Sequence, residues 1–201
     1  MIILDVEGSG TEPHIHSIVS IGAFDFSNPD NRFYEECRIW EQEEERAHIM
    51  DGALAVNGFT EAEITDSSKQ TEGEAVEKFL AWADTCADKT ICGQNPSFDR
   101  DFVRAACGRA GLAWPLAYRT VDTHSLCYMH MIKRGYEVPI DPKRKRSMLN
   151  LDAILNYCGI TEEPHPHNAL TGALCHGEVT SRLLYDKKLL PEFEAFEIPW
   201  L

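Results

Sequence analysis

Asp5 and Glu7, in the opening run Met1-Ile2-Ile3-Leu4-Asp5-Val6-Glu7-Gly8-Ser9-Gly10, are the residues best placed to do chemistry. The four apolar residues ahead of them read as a buried strand. A strand sends alternate side chains to one face, so the two carboxylates emerge together. Anions held side by side repel, and burial makes this worse. A divalent cation relieves it, and an all-oxygen site suits Mg²⁺ or Mn²⁺. Gly8 and Gly10 let the backbone turn away and leave room for a ligand. The plainer alternative is a strand that ends in a solvated acidic turn. Asp99, in Gln94-Asn95-Pro96-Ser97-Phe98-Asp99, sits at a strand-to-helix junction, where an acid caps a helix or binds a ligand. His167 precedes a helix in Pro164-His165-Pro166-His167-Asn168, and a lone histidine there is more often a surface residue than a catalyst.

The elements that must position these residues can be read from the pattern. Ser17–Phe26 and Arg32–Ile39 follow the first strand across short loops and predict an antiparallel meander. The acidic run Glu41 to Glu45 reads as a solvated face. Ile49–Val56 predicts a short helix closed by Asn57-Gly58. Thr71-Glu72-Gly73-Glu74 has capping-box spacing, and Val76, Phe79, Leu80 and Ala83 then recur at helical spacing. Lys89–Gly93 and Arg119–Thr123 read as short strands, each feeding a helix, with Asp122 as a cap. Lys133–Ser147 is a polar excursion, and 148–157 and 168–185 read as the last helices. Phe193, Phe196 and Trp200 are expected to pin the tail to the body. The order of elements implies one α/β domain over residues 1–201, with a mixed sheet and helices on both faces.

The 201 residues suffice for one full-sized core. A net charge of −14 argues against a lysine-coated, sequence-blind duplex binder, although a local basic patch such as Lys143–Arg146 can still serve a nucleic-acid enzyme. No apolar run reaches membrane-spanning length, and the chain opens without a basic, signal-like region. Seven cysteines without C-x-x-C pairing read as free thiols in a reducing cytoplasm.

Taken in order, these segments resemble the DnaQ-like 3′–5′ exonucleases, the DEDDh branch of the RNase H-like fold. Leu4-Asp5-Val6-Glu7 is similar to the first motif, D-x-E, and Asn95 to Asp99 to the second. His167-Asn168-Ala169 is similar to the start of the third, H-x-A-x-x-D. Val56-Asn57-Gly58-Phe59 resembles the family segment beside the terminal nucleotide. The resemblance implies a mixed central sheet of about five strands. It also implies two Mg²⁺ or Mn²⁺ ions and hydrolysis at 3′ ends of single-stranded DNA or RNA, with a homodimer left open. On it, Asp5, Glu7 and Asp99 are metal ligands and His167 is the general base, with one metal generating hydroxide and both stabilising phosphate charge.

The fourth acid of the pattern falls at position 172, which is glycine. One turn further on, His176 lies nearest that face of the helix and is the candidate replacement ligand, favouring Mn²⁺. Glu178 sits about 120° away and reads as an exposed helix acid. The competing reading is a weakly active or inactive relative that binds nucleic acid.

Overall fold

The computed structural model describes residues 1–42, 45–161 and 168–201. A five-stranded sheet carries the fold, in the order β3-β2-β1-β6-β7. Its strands are β1 (Ile2–Gly8), β2 (Ile18–Asp25), β3 (Asn28–Glu36), β6 (Ile91–Gly93) and β7 (Thr120–Asp122). The first three form the expected antiparallel meander, while β6 and β7 run parallel to β1. Glu41–Gln42 (β4) pairs with Glu45–Arg46 (β5) in a small exposed ladder, so that part of the acidic run is solvated as its composition suggests.

Alternation along β1 divides the core. Ile2, Leu4 and Val6 pack with α3 (Glu72–Ala83) and α4 (Ser97–Ala110) on one face. Ile3 faces the other side, against α5 (Thr123–Lys133), α6 (Leu151–Tyr157) and α7 (Ala169–Tyr185). Asp5 and Glu7 share the parity of Ile3, which aims both towards the α7 side.

Local chemistry sets most helix starts where the sequence indicates. Thr71 and Glu74 form the capping box of α3, Asp122 caps α5 through the His124 and Ser125 amides, and Gly58 closes α1 (Ala53–Asn57) in the left-handed region. The short α2 (Glu61–Ile64), with its Thr60/Glu63 capping box, escaped the sequence reading because one turn has no periodicity to detect. β3 begins at Asn28, inside the loop expected ahead of Arg32, and α6 begins at Leu151, after the Asn150 cap.

Glu178 corrects an expectation. It is fully buried rather than an exposed acid. Its Oε1 accepts from Arg182 Nε at 2.7 Å, and its Oε2 accepts the Leu189 and Leu190 amides. The remaining Arg182 nitrogens donate to the carbonyls of Cys158, Phe193, Phe196 and Glu197. A buried ion pair survives when its remaining donors and acceptors are satisfied, and here they tie the C-terminal tail to α7. With Phe193 buried in the same cluster, the aromatic tail is pinned as expected. Arg182→Ala removes the cationic partner of the buried Glu178 carboxyl, and should cost about 3–5 kcal/mol in chemical denaturation.

Candidate functional site

The carboxyl ends of β1, β6 and β7 lie at one edge of the sheet, where open α/β sheets present ligand sites. β1 pairs with β6 only at Ile2 and Ile3, so the strands part before the acidic residues. The Val6 amide then has no ladder partner on that side, and Asp99 supplies one: its Oδ1 accepts Val6 N–H at 2.9 Å. This bond crosses 93 residues of sequence and fixes the start of α4 to the end of β1. Asp99 is buried, and its carboxyl is pushed up to about 7, first by burial and further by the Glu7 charge, with the Val6 amide opposing. The structure therefore brings Asp99 into the electrostatic reach of Glu7.

Asp5 is turned onto α7. A Cβ at Gly172 would overlap the Asp5 carboxylate, so the glycine at the place of the family's fourth acid receives the first acid instead. Asp5 Oδ1 lies 3.4 Å from His176 Nε2, one turn along α7. On the other side of the ring, His176 Nδ1 accepts the Gln94 amide at 2.7 Å. Burial holds His176 down to about 4, so the ring is neutral near pH 7. Among the described residues, no three His, Cys, Asp or Glu side chains converge as a metal-binding group. His167 lies outside the described residues; Asn168, which follows it, caps α7.

The segment expected to flank the terminal nucleotide does reach the strand end. Asn57 Nδ2 donates to Gly8 O at 3.0 Å, and its Oδ1 accepts the Phe59 amide. Val56 is exposed, whereas Phe59 is half-buried against Val19, Ile39, Ala47 and Ile64, with Lys69 Nζ 5.3 Å from its ring centre. Ser9 was missed by sequence reasoning. Its hydroxyl donates to His48 O and its carbonyl accepts the Met50 amide, joining the 48–50 loop to the end of β1. Gln94 was quoted only as part of a motif, yet its amide orients His176 and its side chain bonds Thr123 and Leu149 O. The partners of both lie far along the chain, which leaves no local signal in the sequence.

An RNase H-like sheet with acids at the ends of β1 and the start of α4 defines a nuclease-type fold. The family profile described as Exonuclease, RNase_T, matches residues 2–175, and the chain belongs to this DEDDh exonuclease family. Among solved structures it is similar to E. coli Exonuclease I in complex with a dA16 oligonucleotide, at 16% identity and TM-score 0.68. That match covers 92% of this chain and 40% of the other. It is also similar to the nuclease domain of 3′hExo, a DEDDh family member bound to rAMP, at 16% identity and TM-score 0.65, covering 94% and 93%. Cell-death related nuclease 4 matches at 13% identity and TM-score 0.67, covering 93% and 64%. The chain thus spans less than half of Exonuclease I but nearly all of the 3′hExo nuclease domain. No curated protein matches it significantly in sequence. No helix among the described residues is long and apolar enough to cross a membrane.

The raised Asp99 has a measurable consequence. An unfolded aspartate titrates near ~3.9. Between that value and about 7 the folded chain holds a proton that the unfolded chain has released. Its stabilising effect is therefore complete below the unfolded value and lost as pH rises through the folded one. Asp99→Asn keeps an acceptor for Val6 N–H without the charge. Thermal melts should show the variant gaining on the parent as pH rises from 4 to 8, an interval set by these two values.

Proposed function

We propose that the protein binds single-stranded nucleic acid at its 3′ end, with a hydrolytic centre that is weak or silent. The observation that carries this reading is glycine at 172 with the Asp5 carboxylate seated over it. Family members hold two divalent ions with four carboxylates, and the residues present do not fit that arrangement. Position 172 offers no oxygen, Asp5 is engaged on α7, and one Asp99 oxygen is committed to Val6 N–H. We therefore derive no hydrolytic step through such ions.

What the chain's own groups can do is bind. Asn57 bonds Gly8 O and Ser9 bonds His48 O, which puts both segments beside the end of β1. Gly172, in the first turn of α7, lies against Asp5, and this reading assigns the 3′ end to the space they border. Phe59 has its main packing in a small core cluster, so base stacking is a secondary role for it. The solved relatives named above with a dA16 oligonucleotide or rAMP support the ligand class. A second reading, an active 3′–5′ exonuclease using Mg²⁺ or Mn²⁺, is favoured by one observation: Asp5, Glu7 and Asp99 are all retained, and Glu7 still raises Asp99.

The test pairs binding with turnover on labelled single-stranded DNA and RNA. The parent should bind oligonucleotides bearing a free 3′-hydroxyl, bind them less well with that end blocked, and cleave poorly in Mg²⁺. Gly172→Asp forces Asp5 off α7 and restores the fourth acid. It should tighten Mg²⁺ binding and raise cleavage by as much as ~10²-fold, the scale on which positioning errors act. A parent that cleaves as fast as Gly172→Asp would overturn the binder reading. Failure of the parent to bind any single strand would overturn the proposal altogether.

A further inference from the structure

We infer that His176 is a positioning residue, a neutral ring whose Nε2–H is turned to the Asp5 carboxylate on α7, and not a cation ligand. The inference rests on reading this site as an attenuated exonuclease centre, and refines which residues attenuate it.

The argument begins with Gln94. A backbone N–H can only donate, and this one is 2.7 Å from His176 Nδ1. Nδ1 must present its lone pair, so the proton of the neutral ring resides on Nε2. Asp5 Oδ1 lies 3.4 Å from Nε2, a polar contact longer than a formed hydrogen bond. The tautomer set by Gln94 turns a proton rather than a lone pair towards it. To bind a cation through Nε2, the ring would need the opposite tautomer. Its Nδ1–H would then oppose the Gln94 N–H, and a half-buried amide would lose its acceptor. The ring has little freedom to escape, because it is almost fully buried. It lies against Gly93, where a Cβ would stand 3.5 Å from Nδ1 and only 2.9 Å from Leu4 O.

Gly172 completes the seat. The absence of a side chain there makes room for one Asp5 oxygen while His176 faces the other. Neither residue explains the carboxylate's place alone. The glycine and the histidine act together: one opens the space on α7, and the other turns a proton towards the anion in it. Protonated His176 would bind the anion more strongly, but an imidazolium places a second proton towards the Gln94 amide, so the neutral donor is the form that fits.

Nitrogen-15 NMR of the histidine rings in the free protein tests this without nucleic acid or turnover. His176 should show a protonated Nε2 and an unprotonated Nδ1, retained when Mg²⁺ is added, and Asp5→Asn should shift the Nε2 resonance. A proton on Nδ1, loss of the Nε2 proton on adding Mg²⁺, or no response to Asp5→Asn would overturn the inference. Calorimetry on His176→Leu gives a second readout. A nitrogen ligand favours Mn²⁺ over Mg²⁺, so its loss would lower the ratio of the two affinities. A donor to Asp5 changes both alike, and the ratio should hold. If the leucine variant fails to fold, the ring measurement on the parent decides. None of these results is read through 3′-end binding, so a wrong ring state here and a failure to bind single strands are distinguishable outcomes.

Discussion

The close approach of α7 to β1 and β2 is the constraint on which the rest of the structure depends. Three glycines make it. A Cβ on Gly22 of β2 would overlap the backbone of Ala169 and Leu170, one on Gly172 would overlap Asp5, and one on Gly177 would overlap the Phe24 ring. Helix and sheet therefore meet with almost no side-chain spacer along one line. Glycine inside a helix costs about 1 kcal/mol relative to alanine, and two within α7 are a burden that local propensity does not justify. Contact with the sheet justifies it, because tight packing recovers dispersion and apolar burial that a spaced helix would forgo.

Gly172 consequently has two meanings that cannot be separated. As a sequence position it is the missing fourth acid of an exonuclease. As a packing position it belongs to the same seam as Gly22 and Gly177, and lets Asp5 lean on the helix. A chain that lost an acid without rebuilding its surroundings would leave a gap at that point. Here the gap is filled by the neighbouring carboxylate, and the Gln94 amide orients the His176 ring that faces it. The far end of the helix is equally specialised, because Glu178 and Arg182 bind the tail from inside the core. α7 thus links the candidate site to the C-terminus.

Electrostatics divides the acids in a way their spacing does not reveal. Asp5 and Glu7 near the end of β1 and Asp99 at the start of α4 belong to one motif set, yet Asp5 and Asp99 meet different environments. Asp99 is buried under the Val6 amide and rises to about 7, while Asp5 is the partner of a neutral histidine. Three carboxylates of one motif set therefore do not form one equivalent cluster. The fold keeps the exonuclease framework, and within it Asp5 and Asp99 are held by different partners.

The sequence by itself determined the framework, because the framework is written in local signals. The parity of Ile3, Asp5 and Glu7 follows from the period of a strand, and the α3 and α5 caps follow from side chains that bond amides two or three residues away. The ordered motifs led to the family that the profile match shows. Helix geometry also placed His176 beside the space at 172. Tertiary structure alone decided what those residues do to one another. The tautomer of His176 depends on an amide 82 residues away, and the titration of Asp99 depends on a bond spanning 93. Glu178 became a core residue only because Arg182 and the returning tail enclose it. Such roles depend on burial and on partners distant in the chain, and neither leaves a periodic mark in the sequence.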